Sequence, residues 1–259
     1  MQNQPVLGID IGGSGIKGAL VDLAVGDFAS ERVRIPTPAR STPANVADVV
    51  ARIVEDFSGQ IADDSPIGVT IPAVVTHGTT RSAANIHKSW IDAPAQQIFS
   101  ERLGREVFLV NDADAAGVAE VMYGAAKGNE GLVLVTTLGT GIGSALIYRG
   151  VLVPNTELGH LEIDGKDAES EAAASIKTAL GLTYEEYVPR LQRYYERVEA
   201  LFWPDLFVVG GGVSKASGKF LPHLKLKTPI VPAELRNRAG IVGAAWLAVD
   251  KAEHPERPA

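Results

Sequence analysis

The stretch VLGIDIGGSGIKGALVDL, residues 6–23, contains the most informative pattern of the chain. It begins with the apolar run Val6–Ile11, in which Asp10 is the charged residue. A glycine cluster follows, and the apolar pattern returns at Ile16–Leu23. Two apolar runs separated by a short glycine-rich segment are typical of strands joined by a tight turn. The stretch therefore predicts a β-glycine-β hairpin.

Residues 13–18 also fit the pattern GxGxxG of dinucleotide sites. That site requires a helix after the glycines, whereas here a strand continues. The Walker pattern fails because Ile16 precedes Lys17 where a glycine is needed. A glycine hairpin can still expose backbone N–H groups to an anion. Gly12, Gly13 and Ser14, with Lys17, are thus candidate phosphate ligands; an ordinary hairpin with a solvated lysine is the alternative.

A related stretch occurs 126 residues later, where Gly139, Thr140 and Gly141 lie between two strand-like runs. A third glycine segment, Gly210–Gly212, follows the apolar run Leu206–Val209. The repeat predicts two lobes of one plan, with a cleft between them.

The other predicted strands are Arg32–Ile35, Ile67–Ile71, Val107–Val110, Leu132–Thr137 and Ser144–Tyr148. The predicted helices are Ala44–Phe57, Asp112–Tyr123, Tyr184–Phe202 and a last helix from about residue 239 to 249.

The composition of the 259 residues, 46% hydrophobic and 21% charged, is typical of a globular enzyme. The net charge of −7 argues against a nucleic-acid partner. Because cysteine is absent, disulfides and Cys-ligated metals are excluded. No signal peptide and no apolar run of about 20 residues is found, so we expect a cytoplasmic protein without a membrane partner.

Several polar residues are candidates for chemistry. Asp10, at a buried strand end, would hold Mg²⁺ through water, or else accept N–H groups of its own turn. Asp112 would accept the proton of an alcohol, although it could equally be the N-cap of a helix. Glu157 and His160, in a glycine-containing loop, offer hydrogen bonds to sugar hydroxyls. Asn85 and Trp90 form another polar cluster, or are loop residues with one anchoring aromatic.

The motifs DIGGS with Lys17, NDADA at 111–115, LGTGIG at 138–143 and ELGH at 157–160 are similar to those of the ROK group (repressors, open reading frames, kinases). SAAN at 82–85, KSW at 88–90, NTELGHLE at 155–162 and WPDLF at 203–207 resemble the actinobacterial polyphosphate glucokinases, glucomannokinase-like proteins included. The resemblance implies an α/β, actin-like (ribonuclease H-like) ATPase fold, two lobes with a central cleft. The small lobe would span residues 1–111, completed by a helix at about 238–259, and the large lobe residues 112–237.

The resemblance also implies a reaction: transfer of phosphate from polyphosphate and ATP, with Mg²⁺, to the 6-hydroxyl of glucose, and of mannose as a further acceptor. Asp112 would be the catalytic base, with the hexose held by Asn85, Asn111, Glu157, His160 and Glu169, or Glu171 in place of Glu169. Gly12–Ser14 and Gly139–Gly141 would bind phosphates. Gly210, Gly211 and Gly212 would lie beside the nucleotide base or the extended phosphate chain.

This sequence departs from the family pattern in two places. The region 164–175 has no cysteine, so we expect none of the structural zinc that ROK proteins commonly carry. Ile71-Pro72-Ala73 stands where the family usually has Pro-Gly. The family pattern is therefore a weaker guide to the backbone that faces the sugar there.

Two alternatives follow from the resemblance. One is a different phosphotransferase without polyphosphate use: an ATP-only glucokinase or hexokinase, an N-acetylhexosamine kinase or a fructokinase. A transcription regulator would carry a helix-turn-helix before the first glycine turn, where only seven residues precede Gly8. A lysine track, Lys215, Lys219, Lys225 and Lys227, could serve polyphosphate or simply form a solvated face. A homodimer is the family expectation.

Overall fold

The computed structural model describes residues 4–83 and 86–256. The strands of these ranges are β1 (Val6–Gly12), β2 (Gly15–Asp22), β3 (Asp27–Phe28), β4 (Val33–Ile35), β5 (Ile67–Ile71), β6 (Val75–Thr76), β7 (Thr79–Thr80), β8 (Val107–Asn111), β9 (Leu132–Leu138), β10 (Ile142–Tyr148), β11 (Val151–Val153), β12 (Glu162–Ile163), β13 (Lys166–Asp167), β14 (Leu206–Gly210) and β15 (Ile230–Pro232).

The α-helices are α1 (Pro43–Asp56), α2 (Ala95–Leu103), α3 (Asp112–Tyr123), α4 (Glu169–Ala172), α5 (Ala174–Ala179), α6 (Tyr184–Phe202) and α7 (Ala239–Glu253). Short 3₁₀ helices occupy Lys88–Trp90, Leu158–His160, Gly212–Lys219, Leu221–His223 and Arg236–Arg238. None of the helices within the described ranges is long and apolar enough to span a membrane.

The chain divides into two compact units. The first comprises Met1–Ala119 and Asn237–Ala259, and the second Glu120–Arg236. The division falls inside α3, whereas the sequence prediction places it just before that helix. The C-terminal helix α7 belongs to the first unit.

The sheet of the first unit has the order β3-β2-β1-β5-β8, with β4 also paired to β2. The hairpin β1–β2 is antiparallel, and β5 and β8 extend the sheet in parallel to β1. Because parallel strands end at one edge, the carboxyl ends of β1, β5 and β8 lie along that edge. Asp10, Thr70 and Asn111 are thereby placed close to one another along the sheet.

The sheet of the second unit repeats this arrangement, with the order β11-β10-β9-β14-β15. Here the hairpin β9–β10 is antiparallel, and β14 and β15 follow in parallel. The glycine turns differ in length. Gly12 pairs with Gly15 across a two-residue turn, whereas Leu138 pairs with Ile142 across three residues. The sequence repeat thus extends to the topology of the sheets, and one residue is added at the second turn.

Helix α7 contacts the first sheet backbone to backbone. A Cβ atom at Gly8 would lie 2.1 Å from the carbonyl oxygen of Ile241, and one at Gly68 would lie 2.0 Å from that of Ala244. On the helix itself, a Cβ at Gly243 would lie 1.8 Å from the carbonyl oxygen of Ala115 in α3. Only glycine permits contacts this close.

Helix boundaries follow local sequence signals. Thr42 caps α1, whose first residue is Pro43, and Thr183 and Glu186 form a capping box at α6. Helices α3 and α6 have the predicted bounds. Helix α2 was not predicted; it has nine residues and no side-chain cap at its start, so its sequence signal is weak.

Because of the close contacts of α7, we expect the change Gly68→Ala to lower the free energy of unfolding by about 1–3 kcal/mol, as overpacking does. Gly218→Ala is the matched control, since a Cβ there meets nothing within 4 Å, and should stay within about 0.5 kcal/mol of the parent. Urea unfolding of both variants measures the difference. Equal stability of the two variants would contradict the proposed role of these contacts.

Candidate active site

Asp10 lies at the carboxyl edge of the first sheet with both carboxylate oxygens engaged. Its Oδ2 atom is 2.8 Å from Lys17 Nζ, and its Oδ1 accepts the hydroxyl of Thr70 at 3.0 Å. The side chains of Asp10 and Lys17 remain 22% and 27% exposed. A cation at this position would therefore meet Asp10 through water, in competition with Lys17. A partly exposed single carboxylate suits that manner of binding Mg²⁺, which keeps several waters.

The first glycine turn is held by two side chains that the sequence reasoning missed. Thr37 donates its hydroxyl to Gly12 O at 2.5 Å, and Arg34 Nη2 donates to Ser14 O at 3.1 Å. Arg34 sits opposite Lys17 in the β2–β4 register, so two cationic residues neighbour the turn. Strand β3 and its flanking turns lie between β2 and β4 in the chain. Arg34 therefore reaches the glycine turn only through strand pairing, and no local sequence signal revealed it.

Asn111 ends β8 and caps α3. Its Oδ1 accepts the backbone N–H groups of Ala113 and Asp114 at 2.8 and 3.1 Å, and its Nδ2 donates to Ala73 O at 3.1 Å. Asn111 is 8% exposed. Asn111 thus caps the start of this helix. Asp112 is exposed, and its Oδ1 accepts the N–H of the adjacent Ala113 at 2.9 Å.

In the second unit, the loop that carries Glu157 and His160 is fixed to β10. Ser144 Oγ accepts the N–H of Leu158 at 3.0 Å and donates to Thr156 O. A Cβ atom at Gly159 would lie 2.3 Å from Ile142 O, so glycine allows the loop to pack directly against the strand that follows the second glycine turn. The loop is thereby held beside Gly139–Gly141.

His160, Asp167 and Glu169 come together next to this turn. Each offers one ligand atom, and these atoms lie within 4.8 Å of one another. His160 Nδ1 donates to Asp167 Oδ2 at 2.8 Å, which leaves Nε2 to face other partners. Glu169 Oε2 accepts the N–H of Ile142 at 3.0 Å, and a Cβ at Gly141 would lie 2.3 Å from that oxygen. Gly141 thus makes room for the Glu169 carboxylate.

The carboxylates around His160 raise the pKa of its imidazole. The hydrogen bond to Asp167 raises the pKa of His160 above its ordinary value of 6.5; desolvation opposes this, and the charges of Glu169, Asp167 and Glu157 reinforce it. Desolvation also raises the pKa of Glu157, with His160 acting in the opposite sense and Glu169 adding to the rise. The cluster therefore combines the imidazole of His160, whose pKa is raised, with carboxylates that can accept hydrogen bonds.

Glu171, the alternative to Glu169, has other partners. Its carboxylate accepts hydrogen bonds from Lys166 at 2.7 Å and Arg190 at 2.8 Å. The structure thus groups Glu169, and not Glu171, with His160. Sequence spacing left the choice between them open because both residues belong to the short helix α4.

The third glycine segment packs on the end of β9. Gly210 pairs with Thr137 in the parallel register, and Gly211 has φ = 81°. A Cβ at Gly211 would lie 2.2 Å from Leu138 O, so both the conformation and the contact require glycine. The second and third glycine segments are therefore neighbours in the second unit.

Asn85 lies outside the described residues. Trp90, its predicted partner in a polar cluster, is fully buried, stacks on Phe99 at 5.9 Å, and donates its indole N–H to Ser41 O at 2.7 Å. Trp90 is thus a core residue of the first unit.

The chain matches the ROK family over residues 6–175. It is 49% identical over 248 residues to the polyphosphate glucokinase of Mycobacterium tuberculosis (strain ATCC 25618 / H37Rv), with 95% of this chain and 92% of that protein covered. The inorganic polyphosphate/ATP-glucomannokinase from Arthrobacter sp. strain KM has a similar crystal structure, with a TM-score of 0.91 and 55% identity over 97% of this chain and 100% of that one.

A ROK family glucokinase from Streptomyces griseus, in complex with glucose and AMPPNP, has a TM-score of 0.80 at 23% identity, over 95% of this chain and 99% of that one. At that identity the likeness shows the fold alone. Two repeated α/β sheets, each built on a glycine hairpin, and these structural neighbours define a protein of the actin-like ATPase fold, as predicted. The chain belongs to the ROK family, which confirms the predicted family.

The hydrogen bond between His160 and Asp167 leads to a pH-dependent prediction. Asp167→Asn should lower the pKa of His160 toward 6.5, because the largest cause of the rise is removed. A raised folded-state pKa stabilises the fold at pH values below the unfolded pKa, and this contribution is lost as pH rises through the folded pKa. The difference in stability between parent and variant should therefore be larger at about pH 6 than at about pH 9.

Titration of the imidazole resonances by NMR measures this pKa directly. Glu171→Gln is the control, because Glu171 pairs with Lys166 and Arg190 and should leave the pKa of His160 unchanged. An unchanged pKa in Asp167→Asn would refute the assignment.

Proposed function

We propose that this chain is a glucokinase that uses inorganic polyphosphate, and ATP as a second donor, to phosphorylate the 6-hydroxyl of glucose. The observation that carries the proposal is the 49% identity to a polyphosphate glucokinase over 95% of the chain. It agrees with the function predicted from the sequence. The 55% identical structural neighbour, named for both donors, supports the use of ATP as well.

The sugar is held, in this proposal, by Asn111, Glu157, His160 and Glu169, with Asn85 added from the sequence prediction. The pairing of His160 with Asp167 supports the assignment, because it holds the ring through Nδ1 and leaves Nε2 for another partner. Glu169 is favoured over Glu171, whose carboxylate is paired with two cations. Mannose is proposed as a further acceptor, by analogy with the glucomannokinase.

The phosphates are assigned to the glycine segments Gly12–Ser14, Gly139–Gly141 and Gly210–Gly212. Glycines let a backbone come close to an anion and present N–H groups to it. Arg34 and Lys17 add positive charge beside the first turn. Mg²⁺, when bound, would neutralise charge on the donor phosphates, with Asp10 holding it through water.

Asp112 is assigned as the general base. In the reaction, the sugar oxygen forms a bond to the terminal phosphorus, the bond from phosphorus to the remaining donor breaks, and the hydroxyl proton passes to the Asp112 carboxylate. Capping of α3 by Asn111 supports this role, because the N–H groups of Ala113 and Asp114 at the helix start have an acceptor besides Asp112. The predicted homodimer remains a proposal from the family resemblance, and the cytoplasmic location remains a proposal from the sequence.

The change Asp112→Asn should lower kcat by about 10²-fold or more with little change in glucose affinity, because a general base acts mainly on the transition state. Asp56→Asn, at an exposed carboxylate that ends α1, is the control and should retain kcat. Steady-state kinetics and glucose binding by calorimetry measure the two effects. Activity of Asp112→Asn within a few-fold of the parent would rule out this assignment.

Parallel kinetics with polyphosphate and ATP test the choice of donor. We expect turnover with both donors, and a glucose 6-phosphate product in each case. If only ATP supports turnover, the chain is instead an ATP-only hexokinase, the alternative that the sequence left open. Fructose in place of glucose as acceptor tests the fructokinase alternative in the same assay.

A further inference from the structure

The lysines of the predicted track have different contacts in the structure. Lys227 Nζ lies 5.0 Å from the centre of the Trp203 ring, and the backbone of Lys225 is hydrogen-bonded on both sides to Gln192. Lys219 instead shares an aromatic ring with Lys177, a residue outside the predicted track. Lys177 Nζ is 4.4 Å and Lys219 Nζ 5.6 Å from the centre of the Tyr184 ring.

We propose that Lys177, Tyr184 and Lys219, the lysine–tyrosine site, bind the part of an inorganic polyphosphate chain that extends beyond the phosphoryl group being transferred. The inference rests on the proposed function and names residues that would serve the longer donor. Its ligand class is a linear polyphosphate longer than the triphosphate of ATP.

The aromatic base of this site is rigid. The Tyr184 ring stacks on Phe220 at 6.0 Å with an interplanar angle of 9°, and Phe220 is fully buried. Tyr184 is also the first residue of α6, directly after the capping box formed by Thr183 and Glu186. The ring is therefore fixed by the core and by the helix start, and both lysine ammonium groups lie within cation–π distance of it.

Both lysines come from elements attached to the glycine segments. Ser175, two residues before Lys177, donates its N–H to Gly139 O at 3.0 Å and its hydroxyl to Thr140 O at 2.6 Å. Lys219 ends the 3₁₀ helix that starts at Gly212. Lys177 thus follows, by two residues, the Ser175 contacts with the second glycine segment, and one short helix connects Lys219 to the third. A phosphate chain leaving these segments, to which phosphates are assigned, would extend toward the lysine–tyrosine site.

The charges around the ring favour an anion. The distances to the ring centre place the two ammonium groups no more than about 10 Å apart, so one polyanion chain can contact both. The acidic residues at the start of α6 are Glu185, which is exposed, and Glu186, whose carboxylate accepts hydrogen bonds from Thr183. Lys215, on the same 3₁₀ helix as Lys219, adds a further positive charge. In a protein of net charge −7, such a local grouping is needed for a polyanion to bind.

The double variant Lys177→Gln/Lys219→Gln tests the proposal. We expect the KM for long-chain polyphosphate to rise about 3- to 30-fold, as two partly exposed ion pairs are lost, while the KM values for ATP and tripolyphosphate change less than twofold. Lys225→Gln/Lys227→Gln, with the same change in net charge, is the matched control and should leave all three KM values unchanged. Retained turnover with ATP shows that the variants are folded.

Salt dependence provides a second readout. Each lysine contact to a single-stranded polyanion contributes roughly 0.7 to the slope of log affinity against log salt concentration, so the double variant should lose about 1.4 from the slope for polyphosphate binding. An unchanged slope together with an unchanged KM would overturn the proposal. Equal rises in KM for ATP and long-chain polyphosphate would also overturn it, since the site would then serve any donor.

The outcome is separable from that of the proposed function. If the parent protein has no turnover with polyphosphate, the proposed donor is wrong. Direct binding of long-chain polyphosphate to parent and double variant, measured by calorimetry without glucose, then tests the lysine–tyrosine site by itself. Equal affinities in that experiment would refute it.

Discussion

Close backbone contact between α7 and the first sheet is the constraint on which the first unit depends. Gly8 and Gly68 lack the Cβ atoms that would collide with the carbonyl oxygens of Ile241 and Ala244, and Gly243 similarly allows contact with Ala115. One helix thereby packs against β1, β5 and the start of α3. These are the elements that carry Asp10, Thr70 and the residues around Asp112, so the packing of a distant C-terminal helix supports the candidate catalytic edge.

The second unit repeats the arrangement of strands, but its glycines make room for side chains and a loop rather than for a helix. Its sheet has the same strand order, and its hairpin ends in a turn one residue longer than the first. Gly141 and Gly159 leave space for the Glu169 carboxylate and for the loop that bears His160. Gly141, which the sequence predicts as a phosphate ligand, therefore also makes room for an acidic group assigned to the sugar, and Gly159 lets the loop of His160 pack closely. A single residue type meets both demands because each requires close approach to a backbone.

Much of this was predictable from the sequence. The glycine hairpins, the repeat at 126 residues and the ordered motifs predicted the fold and the family, and both are confirmed. The choice between Glu169 and Glu171 was not predictable, because the partners of Glu171 are Lys166 and Arg190, and Arg190 is distant along the chain. Arg34 and Lys177 were missed for a similar reason, since each lies near its glycine segment only through strand pairing or helix packing. The assigned roles of the site residues stay predictions.

The sequence by itself determined the periodic elements, the two glycine hairpins and the family, because these depend on local patterns of apolar residues and on residue types at fixed spacing. The tertiary structure alone decided which charged groups are neighbours. It joined His160 to Asp167 and Glu169, paired Asp10 with Lys17, and brought Lys177 and Lys219 to one ring. Electrostatic interactions depend on distances in space, and residues far apart in sequence acquire those distances only when strands pair and helices pack.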